Sequence, residues 1–260
     1  MSSARSRIRV VLVGPREPGN VGATARAIAN TGLGELVVVA SDRTRLDDPR
    51  ASRMAAGGAD VLERARVAAT LDEALADTVL AAGFTARARV RIEPAPGTLR
   101  EVAPRILREA ERGMVALVFG PEDHGLTNVD LDRCTVLVTI PADERYPVLN
   151  LAASVLVAGY ELVGAERSTG APAGTPEATP GALTPASLSE LERLYERFDQ
   201  VLVKARFLKM RRRQGLVTLR GIVARTALQR REYRFLMGAL ERIESTMDRH
   251  VRSDLVRGGP

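Results

Sequence analysis

The chain has 260 residues, 45% of them apolar and 27% charged, which is globular composition with room for one ordinary domain and an appendage. A single cysteine, Cys134, excludes an intrachain disulfide and points to a reducing compartment; two histidines, with no C-x-x-C or H-E-x-x-H spacing, argue against a metal site. Net charge is +6 and unevenly placed: from Ser187 onward 17 Lys/Arg face 9 Asp/Glu, a surplus of +8 that leaves −2 for the remainder, and such clustering reads either as a footprint for a nucleic-acid backbone or as a solvated helix face.

The N-terminus runs straight into a strand without a secretory apolar region, and no run of about 20 apolar residues occurs, so the expectation is a cytoplasmic protein with no membrane span. Aromatics are only 3% and Trp is absent, so Val, Leu, Ile and Ala must build the core. Five near-continuous aliphatic runs, at 10–13, 36–40, 78–84, 114–120 and 135–141, predict parallel strands covered on both faces. Helices are predicted between them over 21–30, 71–77 and 99–112, with Pro104 disturbing the last. Residues 149–164, apolar nearly all round, predict a helix buried on several sides or set in an interface. The expected α/β domain covers residues 1–165. Residues 166–186, rich in Pro, Gly, Ala, Ser and Thr, read as a flexible linker. From 187 to 260 apolar positions recur at helical spacing and predict two or three helices in a small basic unit.

Four stretches could carry chemistry. "GNVGATARAIANTG" (19–32) lacks the G-x-G-x-x-G spacing of a dinucleotide loop. It reads instead as a helix from Val21 with Asn20 as N-cap, presenting Arg26 on one face with Gly22 and Asn30. Arg26 is then either held towards a ligand or an ordinary surface arginine. "FGPEDHGLTN" (119–128) follows a buried strand, where open α/β sheets bind ligands, so Glu122 stands at a strand mouth or is a plain turn carboxylate; His124 reads as exposed. In "TIPADERYPVLNLAAS" (139–154) Asn150 is either a polar group needing partners or a helix N-cap. "GFTARAR" (83–89) offers the Thr85 hydroxyl and alternating Arg87 and Arg89, suited to a phosphate or to a charged edge. Cys134 reads as a small buried residue rather than a nucleophile. Arg211, Arg212, Arg213, Arg220 and Arg225 in the basic tail are the candidate nucleic-acid contacts.

"GNVGATARAIANTGLGELVVV", "LVFGPEDHGLTN" and "IPADERYPVLNLAASV" together resemble the three ordered motifs of SpoU/TrmH-type RNA 2′-O-methyltransferases of the SPOUT class; "AAGGADVL", "LDEALAD" and "GFTARAR" narrow the resemblance to the TrmJ-like branch, which acts on tRNA in the anticodon loop at position 32. The resemblance implies an α/β fold with a parallel sheet, helices on both faces and a C-terminal trefoil knot. It also implies a homodimer with the active site between subunits, an RNA substrate, most simply tRNA and not DNA, and S-adenosylmethionine held by backbone at Thr85, Ala86, Gly120, Ile140 and Leu149. Arg26 matches the motif arginine, with Asn20 beside it; Glu122 and Asn150 match polar positions of the second and third motifs, and Arg89 a further arginine of the branch. An rRNA methyltransferase, including a self-resistance enzyme, and an RNA-binding protein that has lost catalysis remain alternatives.

Three positions depart from the pattern: Val148 stands where a serine is usual, Pro121 where close relatives carry arginine, and Phe84 where a small polar residue is expected. In the family the arginine is the proposed base, yet a free guanidinium has a pKa above about 12. Arg26 therefore either deprotonates transiently beside a substrate phosphate or stays charged and stabilises the developing alkoxide, the proton leaving to water or to Glu122.

Overall fold

The computed structural model describes residues 3–86, 95–168, 184–205, 207, 212–226 and 228–257, and of 213, 224–226 and 249–257 only the backbone. The chain divides into two compact units, Met1–Pro180 and Gly181–Pro260. The first contains, in chain order, β1 (Ile8–Val13), α1 (Pro18–Thr31), β2 (Glu35–Val39), α2 (Thr44–Asp47), α3 (Pro49–Met54), α4 (Ala59–Glu63), β3 (Arg66–Ala68), α5 (Leu71–Leu75), β4 (Thr78–Phe84), β5 (Gly97–Thr98), α6 (Leu99–Ala110), β6 (Met114–Phe119), α7 (Asn128–Asp132), β7 (Val136–Thr139) and α8 (Leu151–Ser168). The strands form one sheet in the order β3-β2-β1-β6-β4-β7-β5, and every pairing is parallel.

The aliphatic runs become strands because both of their faces are covered. Val10 and Leu12, Leu36 and Val38, and Val115 and Leu117 join Ile28, Ile106 and Val155 of α1, α6 and α8 in one core. The intervening Val11, Val37 and Ala116 are fully buried as well, and α5 packs against β2 and β3. All five predicted strands are present. The short edge strands β3 and β5 and the polar helices α2 to α4 have no aliphatic run and gave no periodic signal. Helix α6 passes through Pro104, contrary to the expected disturbance. Its Thr98–Glu101 capping box fixes the first turn, and Ile106 and Leu107 stay buried beyond the proline, so packing outweighs one lost backbone hydrogen bond. Arg9, buried on β1, reaches Glu35 at 2.6 Å, Asp77 at 2.7 Å and the Ala74 carbonyl at 2.7 Å. Burial opposes its charge, but the two carboxylates outweigh burial and raise its pKa.

Helix α1 starts earlier than expected. Pro18 is its first residue and Glu17 its N-cap, without a side-chain cap bond; proline suits that place because its φ is preset and it has no N–H to satisfy. Asn20 is therefore inside the first turn and is not the cap. The helix ends at Gly32, φ 66°. A Cβ on Gly22 would lie 2.0 Å from the Ala51 carbonyl oxygen, so α3 rests directly on the backbone of α1. The second unit holds α9 (Leu188–Lys204), α10 (Arg212–Thr226) and α11 (Arg230–Arg257), three helices closed around Leu194, Val201 and Leu240 and around Leu191, Tyr195 and Val223. Most of the expected linker lies outside the described residues; α8 continues to Ser168.

Candidate active site

Strands β6, β4 and β7 are neighbours in the sheet, and their carboxyl ends open into one cleft. Its lining includes Thr85, Ala86, Gly120, Ile140 and Leu149, the five positions expected to hold a cofactor, together with Glu122. The floor is apolar. Phe84 and Phe119 stack at 4.3 Å between ring centroids with an interplanar angle of 18°, so the departure at Phe84 supplies a second ring beneath the cleft. A Cβ at Gly120 would sit 2.2 Å from both Gly125 C and Leu126 N. The loop after β6 thus doubles back onto its own start, helped by Gly125 at φ 68°. Thr85 donates its backbone N–H to the Val138 carbonyl at 3.0 Å, which ties the loop after β4 to β7.

A polar network stands at the rim and joins three of the sequence stretches. The Glu122 carboxylate accepts from the backbone N–H of Arg16 at 2.8 Å, the backbone N–H of Glu17 at 3.2 Å and the Asn20 amide at 2.8 Å. Asn150 donates from Nδ2 to Asn20 Oδ1 at 3.0 Å, while its own Oδ1 accepts from Ala152 N at 3.0 Å and Ala153 N at 3.3 Å. Asn150 is thus both cap of α8 and partner of Asn20, although it is exposed rather than buried. Partial burial pushes the Glu122 carboxyl upward, but the donors from Asn20, Arg16 and Glu17 outweigh it and hold the pKa below the usual carboxylate value. A carboxylate so held is an anchor for the entry to α1, and a poor proton acceptor. Beside it Asp123 bridges His124 Nδ1 and Arg16 Nη2, each at 2.7 Å.

Residues 7–160 match the SpoU rRNA Methylase family. The chain belongs to that family. It is 38% identical over 245 residues to the tRNA (cytidine/uridine-2'-O-)-methyltransferase TrmJ of Yersinia pestis, covering 91% of each chain. To the tRNA (cytidine/uridine/adenosine-2'-O-)-methyltransferase TrmJ of Pseudomonas aeruginosa it is 39% identical over 240 residues, 90% of this chain and 92% of the relative. The solved structure of TrmJ from Z. mobilis ZM4 superposes with a TM-score of 0.74 at 29% identity, over 91% of this chain and 98% of that one.

The SpoU domain does not bring every predicted residue to its cleft. Arg26 is exposed on α1, is absent from the cleft lining and has no hydrogen-bond or ion-pair partner among the described residues. Cys134 is half-buried against Gly83, and desolvation pushes its thiol up to about 12, which disfavours the thiolate. Arg89 and Arg211 lie outside the described residues, as do the side chains of Arg213 and Arg225. The remaining tail candidates are committed within the second unit. Arg212 pairs with Asp199. Arg220 makes two 2.6 Å bonds to Glu192 and lies 4.6 Å over the Tyr195 ring. Both are candidate nucleic-acid contacts in the sequence, where the acids one helix away cannot be seen. Among the cleft residues, sequence reasoning missed Phe119, Leu126 and Pro147; the aliphatic patterning disguised them as core and loop.

Proposed function

We propose that this protein is an S-adenosylmethionine-dependent tRNA ribose 2′-O-methyltransferase of the TrmJ type. The observation that carries the reading is the cleft at the ends of β4, β6 and β7, with Glu122, Asn20 and Asn150 joined at its rim. The likeness to the TrmJ enzymes of Y. pestis and P. aeruginosa over 90% or more of this chain supports the substrate class. From the resemblance of its motifs to the TrmJ-like branch we further assign the enzyme to the cytoplasm and its target to the anticodon loop.

The cleft fits the cofactor. Stacked rings and the side chains of Leu126, Ile140 and Leu149 suit an adenine, and the closed approach at Gly120 leaves main-chain groups to contact it. Glu122 and Asp123 at the rim complement a positive sulfonium. When bound, S-adenosylmethionine supplies an electrophilic methyl group. The residues of the chain then have three tasks: to align the ribose 2′-oxygen, to exclude water from the cleft and to stabilise negative charge as the 2′-proton leaves. With Glu122 held ionised by three donors, that proton leaves to water at the cleft mouth, and Arg26 stays charged as the stabilising group.

Because Arg26 lies away from its own cleft, we assign it to the cleft of a second copy. The outer face of α8 favours such a homodimer: Ala153, Leu156 at 44% exposure and Tyr160 at 71% form an apolar stripe that no described residue of the first unit covers. We also assign the trefoil knot of the class to the loops around the cleft. We assign the first unit to methyl transfer and the second to RNA capture.

The test is transfer of labelled methyl from S-adenosylmethionine into total tRNA and, separately, into ribosomes. Label is expected in tRNA and in an alkali-resistant dinucleotide, since a methylated 2′-oxygen cannot attack its phosphate. Label confined to ribosomal RNA, or none at all, overturns the reading. Mixing Arg26→Ala with Asn150→Ala chains tests the shared site: mixed dimers regain activity only if one chain supplies each group.

A further inference from the structure

The second unit presents a surface that charge counting did not single out. Helix α11 turns Leu236, Met237 and Leu240 inward against α9. Its outer side carries Arg231, Phe235, Gly238 and Arg242 at steps of four, three and four residues, flanked by Arg234. At 100° per residue these five fall within about 100° of one face and span about 16 Å along the axis. All five are exposed, Phe235 at 75%. None of the three guanidinium groups has a hydrogen-bond or ion-pair partner among the described residues. The neighbouring acids are otherwise engaged or set aside: Glu232 accepts from Gln229 N at 2.8 Å, Glu244 pairs with Arg197 and Lys204, and Glu241 lies on the flank.

Gly238 is an independent observation. It sits in the interior of a helix, where glycine costs stability relative to alanine. Yet a Cβ there would meet no atom within 4 Å. Among the described residues nothing requires its smallness, and the helix backbone is open there to a closely laid ligand.

We propose that this face of α11 is a platform for a single-stranded stretch of RNA, on which one base stacks against Phe235 while Arg231, Arg234 and Arg242 take phosphates and Gly238 admits the strand to the helix surface. The inference rests on RNA being the substrate and replaces Arg212 and Arg220, which are spent on Asp199 and Glu192, as the source of affinity. A second copy of the chain is a poorer occupant. Two such faces would oppose like charges, with a single apolar side chain on each.

The test uses the full-length chain, tRNA and salt titrations. Replacing Arg231, Arg234 and Arg242 together by Gln should lower the slope of log affinity against log salt by about two, at roughly 0.7 per phosphate of a single strand. Phe235→Ala should weaken binding about five- to 100-fold with the slope unchanged, and Phe235→Tyr should restore it. Gly238→Ala should leave the protein at least as helical yet weaken binding. In kinetics these variants should raise KM for tRNA and leave kcat at saturating tRNA unchanged. Wild-type affinity in all of them, with methyl transfer into tRNA intact, overturns the platform and leaves the enzyme reading standing. A changed molecular mass for Phe235→Ala makes the face a protein interface and overturns it too. A wild-type chain that neither binds nor methylates tRNA overturns both readings.

Discussion

Glu122→Gln isolates the anchor at the cleft rim. Each carboxylate oxygen faces donors: Oε2 the Arg16 N–H at 2.8 Å, Oε1 the Asn20 amide at 2.8 Å and the Glu17 N–H at 3.2 Å. A glutamine offers one oxygen and one NH₂, so in either orientation an NH₂ confronts a donor, and one or two charge-assisted bonds are lost. Solvent reaches the carboxylate and both backbone groups, so the loss is discounted to about 1–2 kcal/mol. If the same energy positions Asn20 and Asn150 during the reaction, kcat should fall by roughly five- to thirty-fold. The sign of the pH effect follows from the lowered folded pKa of Glu122. Between the two pKa values the unfolded chain binds more protons, so this contribution is whole above about pH 4.3, the unfolded value, and is lost as pH falls through the folded one. Urea unfolding of wild type and variant should therefore differ at pH 7 and converge in acid, while kcat is measured at saturating tRNA. Equal stability at both pH values together with unchanged kcat would refute the anchor. So would a variant that keeps its stability and loses only the acidic limb of the rate profile, since that result makes Glu122 the proton acceptor.

Gly120→Ala places a methyl 2.2 Å from two backbone atoms, so overpacking should cost about 1–3 kcal/mol, and calorimetry should find S-adenosylmethionine affinity lowered more than about ten-fold. Arg26→Lys keeps the charge and loses the planar fork; single-turnover methyl transfer should fall by about 100-fold with cofactor affinity unchanged, and near-normal turnover defeats every role given to Arg26. Arg220→Ala removes the Glu192 pair and the Tyr195 contact, so it should destabilise the second unit by about 1–2 kcal/mol and leave the salt slope of tRNA binding unchanged. A reduced slope would return Arg220 to the RNA surface.

Part of the cleft was readable in sequence: the aliphatic runs placed Thr85 and Gly120 at strand ends, and a Cβ at Gly120 would indeed clash, whereas Ala86, Ile140 and Leu149 rested on the resemblance of the motifs to a family. Asn20 shows the limit. Its type fits an N-cap, but Pro18 starts the helix and Glu122, 102 residues away, takes the amide. Likewise, the arginines of the basic tail look equivalent along the chain. Only folding shows that Arg212 and Arg220 meet acids on α9, while Arg231, Arg234 and Arg242 meet none among the described residues.

The sequence by itself determined the parallel sheet, the loops that form the cleft and the identity of its polar residues, because strand burial and close backbone approach act through side chains near in sequence. Tertiary structure alone decided which of those polar groups bond to one another, which cations remain free, and that Arg26 stands apart from the cleft of its own chain. Pairings of that kind depend on distances between elements far apart in the chain, and no local pattern encodes such distances.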